Sequence, residues 1–353
     1  MGSDSAPDIT LAVHEGHQAK EMGSMVKRAP DSAWWQATQI PNFWKPIRPH
    51  SVSILIYITL SSISLLTVTL NLLVIISISH FKKLHTPTNL LLLSLAVSDC
   101  LVGLLMLFQI MIIDGCWFLS EFMCSMYFLL DYIITSASVG TMVLISIDRY
   151  VAICYPLHYS TKVTPKRTKA CVYMCWICSS VFHCLVLKDN LVQPGRYNSC
   201  YGECVVVVGH AFGVADLLLS FIGPVIVIVV LYLNVFVVAM TQARALRSHI
   251  AALTHEGSVS TNVKKSEMKA VRTISVVIIV FLICLCPYYC VTLSGQDAML
   301  SASSVAFVMC LFYLNSCLNP LIYALFYPWF RKSVKQIVTL KILKSGSCDT
   351  NIM

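Results

Sequence analysis

Apolar residues along this chain gather into seven blocks, near 53–79, 89–113, 122–147, 169–187, 207–240, 271–293 and 303–326, set apart by short polar or basic stretches. A hydrocarbon layer about 30 Å thick is crossed by about 20 such residues in a helix. Lipid offers the backbone no hydrogen bonds, so each block is predicted to be a transmembrane helix. Outside the blocks two segments read differently. Residues 1–50 mix charges with Trp34, Trp35 and Trp44, a polar lead-in with an interfacial aromatic belt. Residues 328–343 (PWFRKSVKQIVTLKIL) carry apolar side chains at helical spacing and a basic face, the pattern of a helix lying on a membrane surface. The expected architecture is an all-α membrane protein: an extracellular tail over 1–50, a seven-transmembrane helix bundle over 51–327, a short amphipathic helix over 328–343 and a cytoplasmic tail over 344–353.

Composition agrees with this reading. Of 353 residues, 57% are hydrophobic and 12% charged, whereas about 25% charged is usual for a soluble domain. The net charge of +8 is a topology signal: an N-terminus outside leaves most of the 25 Lys and Arg on the cytoplasmic side, and no soluble basic domain exists to take nucleic acid. The chain does not open on a charged, short apolar, small-residue cleavage pattern, so the tail is expected to be translocated without a signal peptide. Most of the 16 cysteines lie inside the blocks as small apolar residues. Cys124, Cys200 and Cys204 face an oxidising compartment and could bridge, and Cys348 is a candidate for palmitoylation.

The chemistry is carried by acids in apolar surroundings. Asp131 and Asp216 lie inside the third and fifth blocks, where an ionised carboxylate is costly without a partner. No Lys or Arg lies in the outer two thirds of any block, so a cationic ligand is the expected partner. Asp131, Thr135 and Ser138 recur at i, i+4 and i+7 and form one polar stripe facing the bundle. The plainer alternative for Asp131 is a protonated carboxyl bonded to a neighbouring hydroxyl. Gly213, Asp216 and Ser220 share a face above the break at Pro224, and the plainer alternative for Asp216 is a bond to Ser220 or His210. Two ionised carboxylates repel, and a molecule with one ammonium cannot relieve both. Helix axes roughly 8–10 Å apart set a gap that a short alkyl diamine spans, which predicts an aliphatic diamine or polyamine such as cadaverine, putrescine or spermine. Tyr132, Tyr288 and Tyr289 could line its alkyl chain and meet its cationic ends through cation–π attraction. Asp114 and Asp297 read as solvated rim charges that steer cations inward.

A series of motifs then resembles the rhodopsin-like family of G-protein-coupled receptors over residues 52–343: Asn71, LAVSD ending at Asp99, Asp148-Arg149-Tyr150, Trp176, Pro224 with Tyr232, Cys286-Pro287, and NPLIY from Asn319 to Tyr323. NSCLNPLIYALFYPWF in the seventh block, NSCYGECVVVV in the second outer loop and KKSEMKAVRT in the third inner loop are similar to trace-amine-associated receptors, relatives of the biogenic-amine receptors.

That resemblance implies further roles. Asp131 becomes the amine anchor, oriented by Tyr313, and a second acid at Asp216 implies diamine preference. Cys124 pairs with Cys204, which leaves Cys200 free or paired with Cys116, because the tail holds no cysteine. Asp99, Ser138, Asn315, Ser316 and Asn319 match the family's sodium site, with a purely hydrogen-bonded knot as the alternative. Arg149, bridged to Asp148 and Glu267, holds an inactive state, while Tyr150 completes the motif, Tyr232 and Tyr323 stabilise the open form, and Pro287 and Pro320 supply kinks. The open cleft admits a helix of a heterotrimeric G protein, of stimulatory or olfactory type, raising cyclic AMP. The implied location is the plasma membrane, including olfactory cilia, with lipid as a further partner.

Two positions depart from the family pattern: Leu285 stands where a tryptophan switch is usual, and Val139 replaces a bulkier aliphatic beside Pro224 and Phe281. The remaining readings are a monoamine receptor using Asp131 alone and a cation or polyamine transporter. The transporter would show internal repeats and broken mid-membrane helices, which the sequence lacks. With no HExxH, GxSxG or phosphate-loop motif, an enzyme is not expected, and no cofactor beyond the sodium ion is implied.

Overall fold

The computed structural model describes residues 50–113, 117–198, 203–252, 276, 279–291, 302–344 and 346–350. Six helices there are long and apolar enough to cross a membrane: Ser53–His80, Pro87–Ile112, Glu121–Cys154, Pro165–Val186, His210–Val238 and Phe307–Phe326, called below the first to fifth and the seventh spans. A shorter apolar helix, Ile279–Val291, is the described part of the sixth. No β-strand occurs among the described residues.

Local chemistry sets the helix ends. Ser120 caps the third span, its Oγ accepting the Met123 N–H, and Glu121 in the first turn complements the positive end of the helix. Thr164 caps the fourth in the same way for Arg167, and Pro165 occupies the first turn, where its missing N–H costs nothing. The fifth span is not uniform. His210–Leu217 is α-helical, Leu218–Ile222 forms a wider π turn, and Gly223–Ala252 resumes the α-helix. Pro224 has no N–H to offer the carbonyl one turn back, and the widened turn absorbs that missing bond, with the Gly223 N–H reaching Leu218 O instead.

Between helices in lipid, close packing and polar contacts replace the hydrophobic drive. Ser64 donates to Gly103 O across the first and second spans at 2.6 Å, and a Cβ on Gly103 would sit 2.9 Å from Val68 Cγ2. The third and fourth spans also touch closely, leaving no room for a Cβ on Gly140 against Cys175 Sγ.

Among the described residues the interior has two apolar clusters. The outer one joins Leu60, Met106, Trp117, Tyr127, Phe128, Val206 and Tyr313. The inner one joins Val74, Leu95, Met142, Ile145, Phe281, Leu285 and Tyr323. Along each of four spans a buried polar residue marks the changeover: Asn71, Asp99, Ser138 and Asn315.

Two boundaries differ from the sequence expectation. The surface helix runs from Pro328 to Val338 and stops short of 343, because Leu340 takes a left-handed conformation (φ 55°). The chain then returns to the first inner loop, where Ser347 meets His80 at 3.0 Å and Asp349 meets Lys82 at 3.2 Å. Hydrogen bonding to Lys82 holds Asp349 below the usual carboxylate range. The third span extends to Cys154, seven residues beyond the apolar block, and so carries Asp148, Arg149 and Tyr150 inside the helix.

Candidate functional site

Asp131 projects from the third span and is partly exposed. Among the described residues it accepts no hydrogen bond and forms no ion pair. Three tyrosine hydroxyls lie within its electrostatic reach, those of Tyr127, Tyr289 and Tyr313. Tyr313 is buried and hydrogen-bonds with Tyr127, which in turn donates to Gln109 Oε1. Thr135 lies one turn below Asp131 on the same stripe and is partly exposed, while Ser138 is buried.

Asp216 differs in kind. Its Oδ1 accepts from Ser220 Oγ at 2.7 Å and lies 3.1 Å from Nε2 of His183 on the fourth span. Its Oδ2 takes no hydrogen bond among the described residues, and its side chain is 20% exposed against 1% for His183. The other ring nitrogen of His183 faces the Ser179 carbonyl at 2.8 Å. The expectation of no internal partner for these acids counted only lysine and arginine, and His183 supplies one for Asp216. A histidine in the last turn of an apolar span was itself a signal, since intramembrane ionisable residues are rarely idle.

Aromatic rings connect the two acids. Tyr313 packs on Phe312 (5.4 Å between centroids), Phe312 on Tyr288 (4.7 Å), Tyr288 on Tyr289 (5.3 Å) and Tyr289 on Phe221 (3.8 Å, 11° between planes). The Tyr289 hydroxyl lies within electrostatic reach of both Asp131 and Asp216. Tyr132 stacks 5.6 Å from the His183 ring. Sequence reasoning named four of these rings and missed Phe221 and Phe312, which carry no polar handle to distinguish them from packing.

The second outer loop is pinned over the third span. A disulfide joins Cys124 to Cys204, with Cα atoms 5.6 Å apart. Asn190 exchanges two hydrogen bonds with the Val207 backbone, at 2.8 and 3.2 Å, and its own carbonyl accepts from Ser125. Asp114, Cys116, Cys200 and Asp297 lie outside the described residues.

Deeper in the bundle, Asn319 donates to Asp99 Oδ2 at 2.8 Å, Ser316 also hydrogen-bonds Asp99, and Asn71 donates to Ser316 O at 3.0 Å. Among the described residues, four buried oxygens in this layer have no donor: Oδ1 of Asn71, Asp99, Asn315 and Asn319. Oxygen atoms without donors suit a small hard cation, so the residues present fit a sodium ion. At the cytoplasmic end Asp148 is saturated. Its Oδ1 accepts from Tyr159 at 2.8 Å, and its Oδ2 accepts from Thr88 at 2.9 Å and from Arg149 Nε at 3.0 Å. Arg149 also donates to Thr88. Glu267, the other expected partner of Arg149, lies outside the described residues. Tyr150 packs edge-on against Tyr155, and the hydroxyls of Tyr232 and Tyr323 are buried without hydrogen-bond partners among the described residues. Pro320 lies inside the seventh helix.

A bundle of membrane helices with a polar site under a bridged outer loop and a capped Asp-Arg pair at its inner end defines a membrane receptor. The family model described as 7 transmembrane receptor (rhodopsin family) matches residues 70–323, and the chain belongs to that family and, within it, to the trace amine-associated receptors. It is 37% identical over 316 residues to Trace amine-associated receptor 13c of Danio rerio, covering 86% of this chain and 91% of the relative. Trace amine-associated receptor 6 of Homo sapiens is 36% identical over 318 residues (87% and 91%), and Trace amine-associated receptor 8a of Rattus norvegicus 35% over 345 (94% and 99%). The chain is thus a multi-pass receptor of the plasma membrane whose partner is a heterotrimeric G protein, and not an enzyme.

Proposed function

We propose that the receptor is activated by an aliphatic diamine or polyamine whose two ammonium groups bind Asp131 and Asp216. The observation that carries this reading is the pair of unfilled acceptors: the whole carboxylate of Asp131 and Oδ2 of Asp216, both in reach of the Tyr289 hydroxyl. An ammonium donates and never accepts, so it matches such oxygens and gains charge-assisted bonds there. The aromatic run from Tyr313 to Phe221 offers the apolar surface that an alkyl chain needs between its charged ends. The names of the relatives point to trace amines as their ligands, which agrees with an amine at Asp131.

Binding favours an open cytoplasmic form and thereby promotes nucleotide exchange on the G protein. Stimulatory or olfactory-type coupling, a rise in cyclic AMP, an extracellular N-terminus and residence in olfactory cilia belong to the same proposal, supported by kinship and by the Lys and Arg bias. A sodium ion held by Asp99, Ser138, Asn315, Ser316 and Asn319 would stabilise the closed form, a role supported by the four donorless oxygens.

A monoamine held by Asp131 alone is the second reading, and His183 favours it, because that side chain already serves Asp216. A diamine series from three to eight carbons, run beside the matching monoamines, separates the two. The diamine reading predicts a potency optimum at one chain length, absent from the monoamines. Parallel curves for both series contradict it.

A further inference from the structure

We infer that His183 sets the specificity of the second amine subsite by holding a proton that a diamine must expel. This rests on the diamine reading. The Nδ1 of His183 faces the Ser179 carbonyl at 2.8 Å. A carbonyl oxygen only accepts, so Nδ1 carries a hydrogen. The Nε2 then lies 3.1 Å from Asp216 Oδ1. With Nε2 bare and the carboxylate ionised, two lone pairs would face each other at that distance, so a proton lies between them. Whether it resides on nitrogen or oxygen, the pair is neutral as a unit.

The site therefore shows an approaching cation two unlike ends. Asp131 has no hydrogen-bond or ion-pair partner among the described residues, and an ammonium can pair with it directly. At Asp216 the open oxygen is Oδ2, but the charge is already compensated through Oδ1. An ammonium added there while the proton stays would give two cations to one carboxylate in a site where His183 is 1% exposed, and buried like charges repel strongly. Loss of that proton leaves neutral imidazole, carboxylate and ammonium, which balance, and an N–H of the ammonium takes the proton's place between Nε2 and Oδ1. One more proton is thus released per diamine bound than per monoamine, since both amines occupy Asp131.

The other titratable groups around the ring do not substitute for this exchange. Tyr132 on the third span packs 5.6 Å from the imidazole. Tyr289 on the sixth reaches Asp216 and Asp131 electrostatically. Phenols hold their protons far above neutral pH. Asp131, also on the third span, is the acid that either class of amine occupies. His210 begins the same helix as Asp216, six residues earlier, and is exposed.

Linkage sets the size of the effect: releasing one proton makes affinity rise about tenfold per pH unit while the pair keeps its proton. Alkyl ammonium groups, like lysine, remain charged from pH 6 to 8. The test is G-protein activation by 1,5-diaminopentane and by pentylamine at extracellular pH 6, 7 and 8, in wild type, His183→Asn and His183→Gln, with surface level and pentylamine response as folding controls. The expected result is a diamine potency in wild type that climbs more steeply than pentylamine's, by up to about tenfold per unit, and a more potent diamine curve in either variant whose slope matches pentylamine's. Equal slopes for the two amines in wild type, or a steeper diamine slope that survives both substitutions, overturns the inference. Asp216→Asn run alongside identifies which claim has failed. If it leaves diamine potency unchanged, the diamine reading falls and this inference with it. If it weakens the diamine while the wild-type diamine slope matches pentylamine's, only the proton release is wrong.

Discussion

Phe221 on the fifth span and Tyr289 on the sixth lie face to face, 3.8 Å between centroids and 11° between planes. Phe221 lies within the π turn, next to Ser220, and Tyr289 lies one helical turn from Leu285, which is buried where relatives of the wider family were expected to carry a tryptophan. Tyr289 also reaches both acids, so this pair links the amine site to the sixth helix.

Removing the link should weaken signalling without emptying the site. Tyr289→Leu forfeits a stacking contact worth about 0.5–1.5 kcal/mol, which predicts a potency loss of about two- to tenfold in a nucleotide-exchange assay. Tyr289→Phe keeps the stack and should lie closer to wild type. Equal losses in both variants would move the effect from the stack to the hydroxyl.

The inner end makes a second prediction. Thr88 and Tyr159 together hold Asp148 against Arg149. Hydrogen bonds to a charged group are worth about 1.5–3 kcal/mol each, so Thr88→Ala and Tyr159→Phe should each release Arg149 and raise basal nucleotide exchange severalfold at equal surface level. Unchanged basal exchange in both would remove the cluster from the inactive-state restraint.

Sodium offers a third. If the donorless oxygens around Asp99 hold the ion in the closed form, replacing sodium chloride by N-methylglucamine chloride should raise agonist affinity by about fivefold or more, the usual range of allosteric coupling. Asp99→Asn should abolish that difference. A sodium effect of the same size in the variant would leave the layer as a hydrogen-bonded knot.

Much of this molecule is written in its apolar blocks. Their lengths announce the spans, and the i, i+4, i+7 spacing of Asp131, Thr135 and Ser138 announces a polar stripe, because helical periodicity is local. The site's second half was harder to read. His183 meets Asp216 only through the packing of the fourth helix on the fifth, a contact 33 residues apart in sequence with no spacing rule behind it. The π turn at Leu218–Ile222 depends on how Pro224 is accommodated, and a proline announces a disturbance without saying which kind. Thr88 illustrates the same limit: it sits at the start of the second span, and nothing local marks it as a partner of Asp148, 60 residues on.

The central claim is that two carboxylates read two ammonium groups, and the most direct measurement compares 1,5-diaminopentane with pentylamine on wild type, Asp131→Asn and Asp216→Asn at matched surface levels. Asp131→Asn should abolish the response to both amines. Asp216→Asn should cost the diamine about 10- to 100-fold in potency, the worth of one charge-assisted bond, and leave pentylamine where it was. Equal potency of the two amines on wild type, with Asp216→Asn indistinguishable from it, would contradict the account.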